Sequence, residues 1–319
     1  VREALLSSIY DNSSVIGTMA TQGIGGQVVR YANTASMKSK GQELSLQTTN
    51  IKSRDFSWIT NLIFSHVTTE VTSLMSQART IDLISGEASS GFTMEGYPHR
   101  AIFSMPFQGL TDKGIPTYLN EKGQLTSTDL NFQNRGDNSY LIYEGPTEPT
   151  VTGSFGNELR WKNWRLNVFL TYSFGNYVRL DPVFNAQYND LTSMTKEFKN
   201  RWMQAGDEKT TSVPGILNKR QLEKNRNLRR AYNAYNYTSN RTAKGDFIRM
   251  KEISLGYEFP RTLLQATPFT NLSLKLQATN LFLIYADKKL NGQDPEFVNA
   301  GGVAAPIPRQ FTMTLKLGL

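Results

Sequence analysis

The feature that most constrains this chain is an alternation of apolar and polar residues with a period of two. In NLSLKLQATNLFLIY, residues 271–285, every second side chain from Leu272 to Ala278 is apolar, and those from Ser273 to Thr279 between them are polar. This period predicts a β-strand with one apolar and one polar face. In a soluble sheet the apolar face packs on a core, whereas in a transmembrane barrel it contacts lipid and the polar face lines the lumen. A single stripe leaves both arrangements open.

The same alternation recurs along the chain. It is clean or nearly clean in the segments 151–161, 164–174, 253–259 and 311–319, and shorter or blurred stripes occupy 43–47 and 56–64. In the strand that begins at Phe247 the apolar phase changes after Met250, which predicts a β-bulge near Lys251 and Glu252. Because no comparable helical repeat accompanies these stripes, the pattern predicts a single antiparallel all-β architecture.

The connections between these segments alternate in length. Tight or modest ones are expected at 50–55, 162–163 and 260–270, and long ones at 11–40, 71–150, 175–244 and 286–309. Loops above about 15 residues are uncommon in compact soluble domains, whereas short turns on one side and long loops on the other are typical of outer-membrane barrels. We therefore expect about eight strands with long extracellular loops. A short amphipathic helix is expected in the third long loop, from apolar residues spaced by three and four at Leu191, Met194, Phe198 and Trp202.

Aromatic residues mark the two ends of the predicted strands. One group lies near the short turns, and a second lies at the far end of one strand: Trp58, Trp161, Trp164, Tyr257 and Phe259, then Tyr172, Phe174 and Tyr177. The ten steps from Trp164 to Phe174 cover about 33 Å along a strand. At a tilt of about 40° that length spans about 25 Å, the height of the lipid-facing band between aromatic girdles. The alternative is that these rings fill the core of a soluble sandwich.

Composition excludes several classes. No segment approaches the roughly 20 consecutive apolar residues of a membrane helix, and the absence of cysteine excludes disulfides, thiol catalysis and cysteine-zinc sites. The net charge of +8 points to an anionic neighbour. The opening VREALLSSIYDN has no start methionine, basic region or apolar leader, so we expect it to be the interior of a longer polypeptide.

Catalytic and metal-binding patterns are missing from the sequence. The two histidines, His66 and His99, lie far apart, and no Ser-His-Asp set or carboxylate pair stands out. GIGG at 23–26 lacks the flanking strand, helix and Gly-Lys-Ser/Thr of a phosphate loop. We expect no enzymatic activity, cofactor or metal. In GQDPEF, Asp294 and Glu296 are either a cation site or part of a turn, and the turn is favoured because Asp precedes proline.

The segment 218–241, NKRQLEKNRNLRRAYNAYNYTSNR, interleaves basic and aromatic residues. Such a mixture is found in single-stranded nucleic-acid sites, but a solvated loop is favoured and no nucleic acid is expected as a partner. Basic loops outside a bacterium would also contact the phosphates of lipopolysaccharide. Three aromatic residues in this loop are candidates for stacking on sugars: Tyr232, Tyr235 and Tyr237.

Several motifs together resemble those of the SusC/RagA-type TonB-dependent outer-membrane transporters of Bacteroidetes. The most specific is GDFIRMKEISLGYEFP at 245–260, and the others are SKGQELSLQTTNIKSRDFSWITNLIFSH at 39–66, TVTGSFGNELRWKNWRLNVFLTYSFGN at 150–176, RWMQAGDE at 201–208, NLF at 280–282 and DPE at 294–296. One difference is that outer-membrane barrels commonly end in Phe, whereas this chain ends in Leu319.

The resemblance implies a fold, a location and partners. It implies that residues 1–319 are the last third of a transporter, carrying the C-terminal strands of a twenty-two-stranded transmembrane barrel. The accessory domain, the TonB-contacting segment, the plug and the first strands would precede them. Such proteins import oligopeptides or oligosaccharides through the bacterial outer membrane, powered through TonB, with a SusD-like surface lipoprotein as a lid.

The polar faces supply the candidate binding residues. Four cations share the polar parity of their strands, which in a barrel would point them into the lumen: Arg160, Arg165, Lys275 and Lys316. They would either attract anionic cargo or pair with carboxylates such as Glu158 and Glu258 and serve structure. Since lumen cations can pair with carboxylates, peptides are slightly favoured over glycans as cargo. Two rivals remain, a non-transporting adhesin or structural barrel and a secreted β-sandwich that binds polyanions.

Overall fold

The computed structural model describes residues 2–23, 26–75, 77–86, 91–184, 194–298 and 307–318. The strands are β1 (Arg2–Gly23), β2 (Gly26–Lys52), β3 (Phe56–Leu74), β4 (Ala101–Ser104), β5 (Phe107–Leu110), β6 (Pro116–Leu119), β7 (Leu125–Thr126), β8 (Ile142–Pro146), β9 (Val151–Trp161), β10 (Trp164–Phe174), β11 (Tyr177–Arg179), β12 (Thr242–Lys244), β13 (Phe247–Glu258), β14 (Asn271–Ala286) and β15 (Gln310–Gly318). The α-helices are α1 (Thr80–Ser85), α2 (Lys219–Lys224), α3 (Leu228–Tyr235) and α4 (Arg261–Leu264).

The eight longest strands form one antiparallel meander. Its strand order is β1-β2-β3-β9-β10-β13-β14-β15, so each strand pairs with the next main strand along the chain. Side chains therefore alternate between the same two faces across the whole sheet, as the period-two pattern predicts. The predicted change of phase is also present: Phe169 lies opposite Glu252 and Leu170 lies opposite Met250, which leaves Lys251 as the bulged residue.

The turns at one edge of the sheet are short. β2 and β3 are joined through residues 53–55, and β9 and β10 through Lys162 and Asn163. Lys162 has a positive φ of 52°, which suits a two-residue hairpin because its backbone twist matches that of the flanking strands. Aromatic rings gather at this edge, where the Trp164 and Tyr257 centroids are 4.6 Å apart. At the other end of β10, Tyr172 and Phe174 stack at 5.8 Å.

The prediction of a long loop at residues 11–40 is wrong. The pairing of β1 with β2 continues from Arg2 opposite Thr48 to Gly23 opposite Gly26, so this region is one long hairpin. The segment is rich in Ser, Thr, Asn and Gly, a composition typical of loops. A strand ladder is held by backbone hydrogen bonds, however, and two-stranded pairing needs no apolar stripe.

The other long connections form a layer at the opposite edge from the short turns. The excursion between β3 and β9 contains α1 and two small sheets, β4-β8 and β5-β6-β7. The connection between β10 and β13 contains β11, β12, α2 and α3. We refer to the described residues 75–150, 175–246 and 287–309 as the loop layer.

The helix expected around residues 191–202 is largely absent from the described part. Leu191 lies outside the described residues, and the segment forms only a short 3₁₀ turn at Lys196–Asn200. Trp202 is instead packed across two glycines: a Cβ on Gly114 would lie 2.5 Å from its ring, and one on Gly215 would lie 2.9 Å from it. Apolar spacing of three and four can thus arise from a loop whose aromatic residue fills a glycine-lined gap.

The hydrophobic core lies in the loop layer and not against the sheet. The largest buried cluster joins Leu83, Phe103, Tyr118 and Ala231, all from the long connections. On the apolar face of the sheet, Leu255 and Leu276 from interior strands are 40% and 48% exposed. Among the described residues nothing covers this face. None of the helices in these residues has the length and apolar composition of a transmembrane helix.

Candidate functional site

The register places the four predicted cations on the polar face of the sheet. Arg160 lies directly opposite Arg165 across the β9–β10 pair. Gly256 separates Arg165 from Lys275, since it is the cross-strand neighbour of both. Lys316 lies opposite Ser273, which in turn lies opposite Glu258. The four side chains therefore emerge within a few strands of one another on a single surface.

Three of these cations are close to carboxylates on the same face. Arg165 lies 3.6 Å from Glu158 and 3.7 Å from Glu258, and Arg160 lies 4.0 Å from Glu258. We call these four residues, Glu158, Arg160, Arg165 and Glu258, the polar-face ladder.

A further pair lies beside the ladder, where Lys275 approaches Glu252 at 3.8 Å. Lys316 forms no salt bridge with any described residue. The geometry therefore matches the pairing alternative for three of the four cations. Solvated pairs of this kind contribute about 0–1 kcal/mol each.

Two of the three candidate tyrosines are buried. Tyr232 and Tyr235 are 2% and 1% exposed, and both are on the inner side of α3. The Tyr235 ring lies against Phe107 at 5.5 Å. A buried ring offers no face to a ligand, so the structure does not place these two residues where a sugar could stack. Tyr237 is half-buried, and the Arg179 guanidinium lies 5.9 Å from its ring centroid.

The apolar positions of α3 lie on one face of the helix, and that face is buried in the core. Leu228, Ala231, Tyr232 and Tyr235 are spaced i, i+3, i+4 and i+7, and all four are buried. That spacing is the signature of one helix face, and the burial of the tyrosines could have been predicted from it. The opposite face of α3 presents Arg229 and Arg230 to solvent.

A buried ionic cluster links the last long connection to the sheet. Arg249 on β13 donates to Asp294 at 2.5 Å and lies 2.8 Å from Glu296. The Arg249 and Asp294 side chains are only 4% and 5% exposed. We call this group of three residues the Arg249 clamp.

The clamp resolves the two interpretations of GQDPEF. The backbone N–H of Glu296 donates to the Asp294 carboxylate at 3.2 Å, and that of Phe297 donates to the Asp294 carbonyl at 3.0 Å, so a turn is present. The cation that the two carboxylates hold is the guanidinium of Arg249. Sequence reasoning missed this pairing because 45 positions separate Arg249 from Asp294. Among the described residues, no group of three or more potential ligands has the arrangement of a metal site.

A second buried arginine joins separate parts of the loop layer. Arg179 on β11 donates to the carbonyl oxygens of Phe103 at 2.6 Å and Ile84 at 3.2 Å, and to the Ser104 hydroxyl at 3.1 Å. Burial lowers the pKa of Arg179 to about 10, which leaves the guanidinium charged at neutral pH. The connection between β3 and β9 and the connection between β10 and β13 are thereby tied together.

In sequence, the chain is similar to TonB-dependent receptors. The chain is 25% identical to TonB-dependent receptor P3 of Formosa agariphila over 302 residues, which is 86% of this chain and 26% of that protein. It is 25% identical to TonB-dependent receptor P39 of the same organism over 314 residues, covering 86% of this chain and 29% of the relative. The chain thus spans little more than a quarter of the curated relatives it matches. No protein-family model matches it.

Comparison with solved structures shows that the fold is also similar to that of known transporters. A chain in "Structure of the RagAB peptide transporter" aligns with a TM-score of 0.71 and 19% identity, over 99% of this chain and 33% of that one. A chain of the RagAB peptide importer in its closed-closed state also gives a TM-score of 0.71, with 20% identity. The predicted resemblance to SusC/RagA-type TonB-dependent transporters is confirmed, and with it the location in the bacterial outer membrane.

Proposed function

We propose that this chain, which resembles SusC/RagA-type TonB-dependent transporters, forms the C-terminal strands of an outer-membrane import barrel. Residues 1–319 would belong to the barrel alone, with a twenty-two-stranded wall completed by upstream sequence. The observation that carries the proposal is the two-faced meander. An uncovered apolar face, a charged polar face, short turns at one edge and a folded loop layer at the other are the parts of such a barrel.

The same observation weighs against a soluble β-sandwich. A sandwich buries the apolar face of one sheet against a second sheet about 10 Å away. Leu255 and Leu276 are 40% and 48% exposed, and the buried clusters lie in the connections. Lipid is the partner that suits an apolar face of this kind. A non-transporting adhesin barrel would share the fold, and the similarity to receptors and importers favours transport over adhesion.

The proposed cargo is an oligopeptide, with an oligosaccharide as the alternative. The RagAB structures are those of a peptide transporter, and a peptide offers a terminal carboxylate and backbone amides to a polar face that carries both Arg and Glu. Burial of Tyr232 and Tyr235 removes two of the three proposed sugar-stacking rings.

The proposed partners follow from the same assignment. A SusD-like lipoprotein would cover the loop layer and deliver cargo, and TonB would act through the upstream part of the protein. Lipid and lipopolysaccharide would surround the sheet. We assign no enzymatic step and no cofactor to this chain.

Uptake by cells tests the proposal. The gene that encodes the full-length protein is deleted, and entry of fluorescent oligopeptides and oligosaccharides of matched size is measured with and without complementation. We expect peptide uptake to be lost on deletion, restored by the gene and abolished by a protonophore, because TonB-driven import needs the proton gradient. Unchanged uptake of both cargoes in the deletion strain would overturn the transport function. Selective loss of oligosaccharide uptake would instead support the alternative cargo.

A further inference from the structure

The excess positive charge of this protein is concentrated in the loop layer. Between residues 219 and 230 the sequence has six Lys and Arg and one Glu, a net of +5 from a chain whose total is +8. On the polar face of the sheet, by contrast, three of the four candidate cations already lie within 4.0 Å of a carboxylate. The segment from α2 to α3 is therefore a dense group of cations that an anionic partner of this chain could contact.

These cations are free and exposed. None of the six forms a salt bridge with another described residue, and all six are exposed to solvent: Lys219, Arg220, Lys224, Arg226, Arg229 and Arg230. They are held in place by the helices beneath them, since Leu228 and Tyr232 pack with Leu217 in a buried cluster. Like charges four residues apart on one helix, such as Arg220 and Lys224 on α2, destabilise that helix slightly, which makes an external counter-charge favourable.

Part of this surface is concave. An open groove of about 500 Å³ is lined by residues from α2, α3 and the link between them: Lys219, Leu222, Glu223, Arg226 and Arg229. Its lining combines three cations with the aliphatic side chain of Leu222 and one carboxylate. The groove can accommodate a group the size of a sugar or two, with more than one negative charge.

We propose that this groove is a binding site for a phosphate-bearing ligand. Two guanidinium groups and one ammonium match a phosphate because Arg offers paired N–H donors to its oxygens and Lys adds a point charge. The Glu223 carboxylate accepts a hydrogen bond from a hydroxyl or amine of the same ligand. Phosphate and not nucleic acid is assigned because base binding needs exposed aromatic platforms, and Tyr232 and Tyr235 are buried.

Two sources present this chemistry at a cell surface. One is the phosphorylated sugar headgroup of an outer-leaflet glycolipid, and the other is a soluble polyphosphate. The groove lies in the loop layer and not on the polar face of the sheet, so it is a separate site from the surface proposed above for cargo. A glycolipid bound here would fix the protein in its membrane, whereas a soluble ligand would not.

Binding to the full-length protein in detergent tests this site. The probes are inorganic tripolyphosphate, a bis-phosphorylated glucosamine disaccharide without acyl chains, and the same disaccharide without phosphate. The variant Lys219→Gln/Arg226→Gln/Arg229→Gln removes the groove cations. A matched control, Lys113→Gln/Lys122→Gln/Lys209→Gln, removes three exposed charges elsewhere in the loop layer. Because all six positions are exposed, both variants are expected to fold.

We expect both phosphorylated probes to bind the unmodified protein and to bind the groove variant at least about tenfold more weakly, with the control within about twofold. Added salt should weaken binding because it screens the cations. Tighter binding of the phosphorylated disaccharide than of tripolyphosphate would assign the site to a glycolipid headgroup, and the reverse would assign it to a soluble ligand. The proposed site would be refuted if the two variants lost equal amounts of binding affinity. It would also be refuted if the disaccharide bound equally well with and without phosphate. An acidic peptide that binds the groove as tightly as the phosphorylated probes would likewise refute it.

Discussion

Two ionic clusters in this protein use the same side chains in different surroundings. The Arg249 clamp is buried, with Arg249 and Asp294 at 4% and 5% exposure. In the polar-face ladder, Arg165 and Glu158 are 51% and 41% exposed and 3.6 Å apart. Water screens the ladder, so each of its pairs contributes about 0–1 kcal/mol. Removing one partner of a buried pair costs about 3–5 kcal/mol, because the other charge is left without compensation.

The difference separates the two regions by role. The clamp attaches the connection after β14 to the polar face of the sheet, and the chain cannot alter it without a large loss of stability. The ladder is open to solvent and can exchange its partners with a ligand or with another part of the protein at little cost. The loop after β14 is thus fixed to the sheet, whereas the polar face of the sheet can rearrange its ion pairs.

Breaking the clamp should give the largest effect. The substitution Arg249→Met leaves Asp294 buried without its cation, and we expect the free energy of local opening at residues 288–298 to fall by about 3–5 kcal/mol. Hydrogen exchange of the backbone amides in that segment measures it. The matched control, Arg165→Met in the ladder, should change the same amides by less than about 1 kcal/mol. Equal effects of the two substitutions would show that burial does not distinguish the clusters.

Substitutions on the two faces of β14 should differ nearly as much in their effect on assembly. A charge on the lipid side costs about 2–4 kcal/mol at the middle of a bilayer and less towards its surfaces, so Leu276→Arg, opposite Leu255 and inside the aromatic edge, should reduce the yield of assembled protein. Lys275→Leu, one residue along on the polar face, should assemble close to normally. Yields are read from heat-modifiable migration on gels after detergent extraction. The assignment of the apolar face to lipid would be refuted by equal yields.

Charge removal in and beside the ladder should have a small effect on transport. The double substitution Arg165→Gln/Lys275→Gln removes cations that already face Glu158, Glu258 and Glu252. We therefore expect uptake of acidic cargo relative to neutral cargo to change by less than about fivefold, a difference of about 1 kcal/mol at most. A larger loss that shrinks in added salt would mean that the cations attract cargo. Leakage of small solutes in this variant would instead indicate that they anchor another part of the protein.

A pH effect is expected at the start of α1, and it should be the smallest of these. The side-chain hydrogen bond from Arg79 holds the pKa of Asp82 below its usual value. A lowered pKa stabilises the folded state above the unfolded-state pKa of about 4, and that contribution is lost as the pH falls through the folded-state value. The protection factors of the α1 amides, which correct exchange for its intrinsic pH dependence, should be constant near neutrality and should fall under acid. Asp82→Asn should remove this dependence, and its persistence in that variant would exclude Asp82 as the cause.

The sequence predicts the sheet well and the loop layer poorly, for physical reasons. A half-exposed strand repeats every two residues, so the faces of β9, β10, β13 and β14 and the bulge at Lys251 follow from local pattern. The β1–β2 hairpin was missed because its backbone pairing does not depend on an apolar stripe. The Arg249 clamp was missed because it joins residues that only the folded topology brings together.

The central claim is that the sheet spans the outer membrane with its loop layer outside. Since the chain contains no cysteine, one introduced at an exposed loop position provides a unique label in it. Lys122→Cys in the loop layer should react with a membrane-impermeant maleimide on intact cells, and Lys162→Cys in the β9–β10 turn should react only after the outer membrane is opened. Labelling of Lys162→Cys on intact cells, with Lys122→Cys protected until the membrane is opened, would contradict the account.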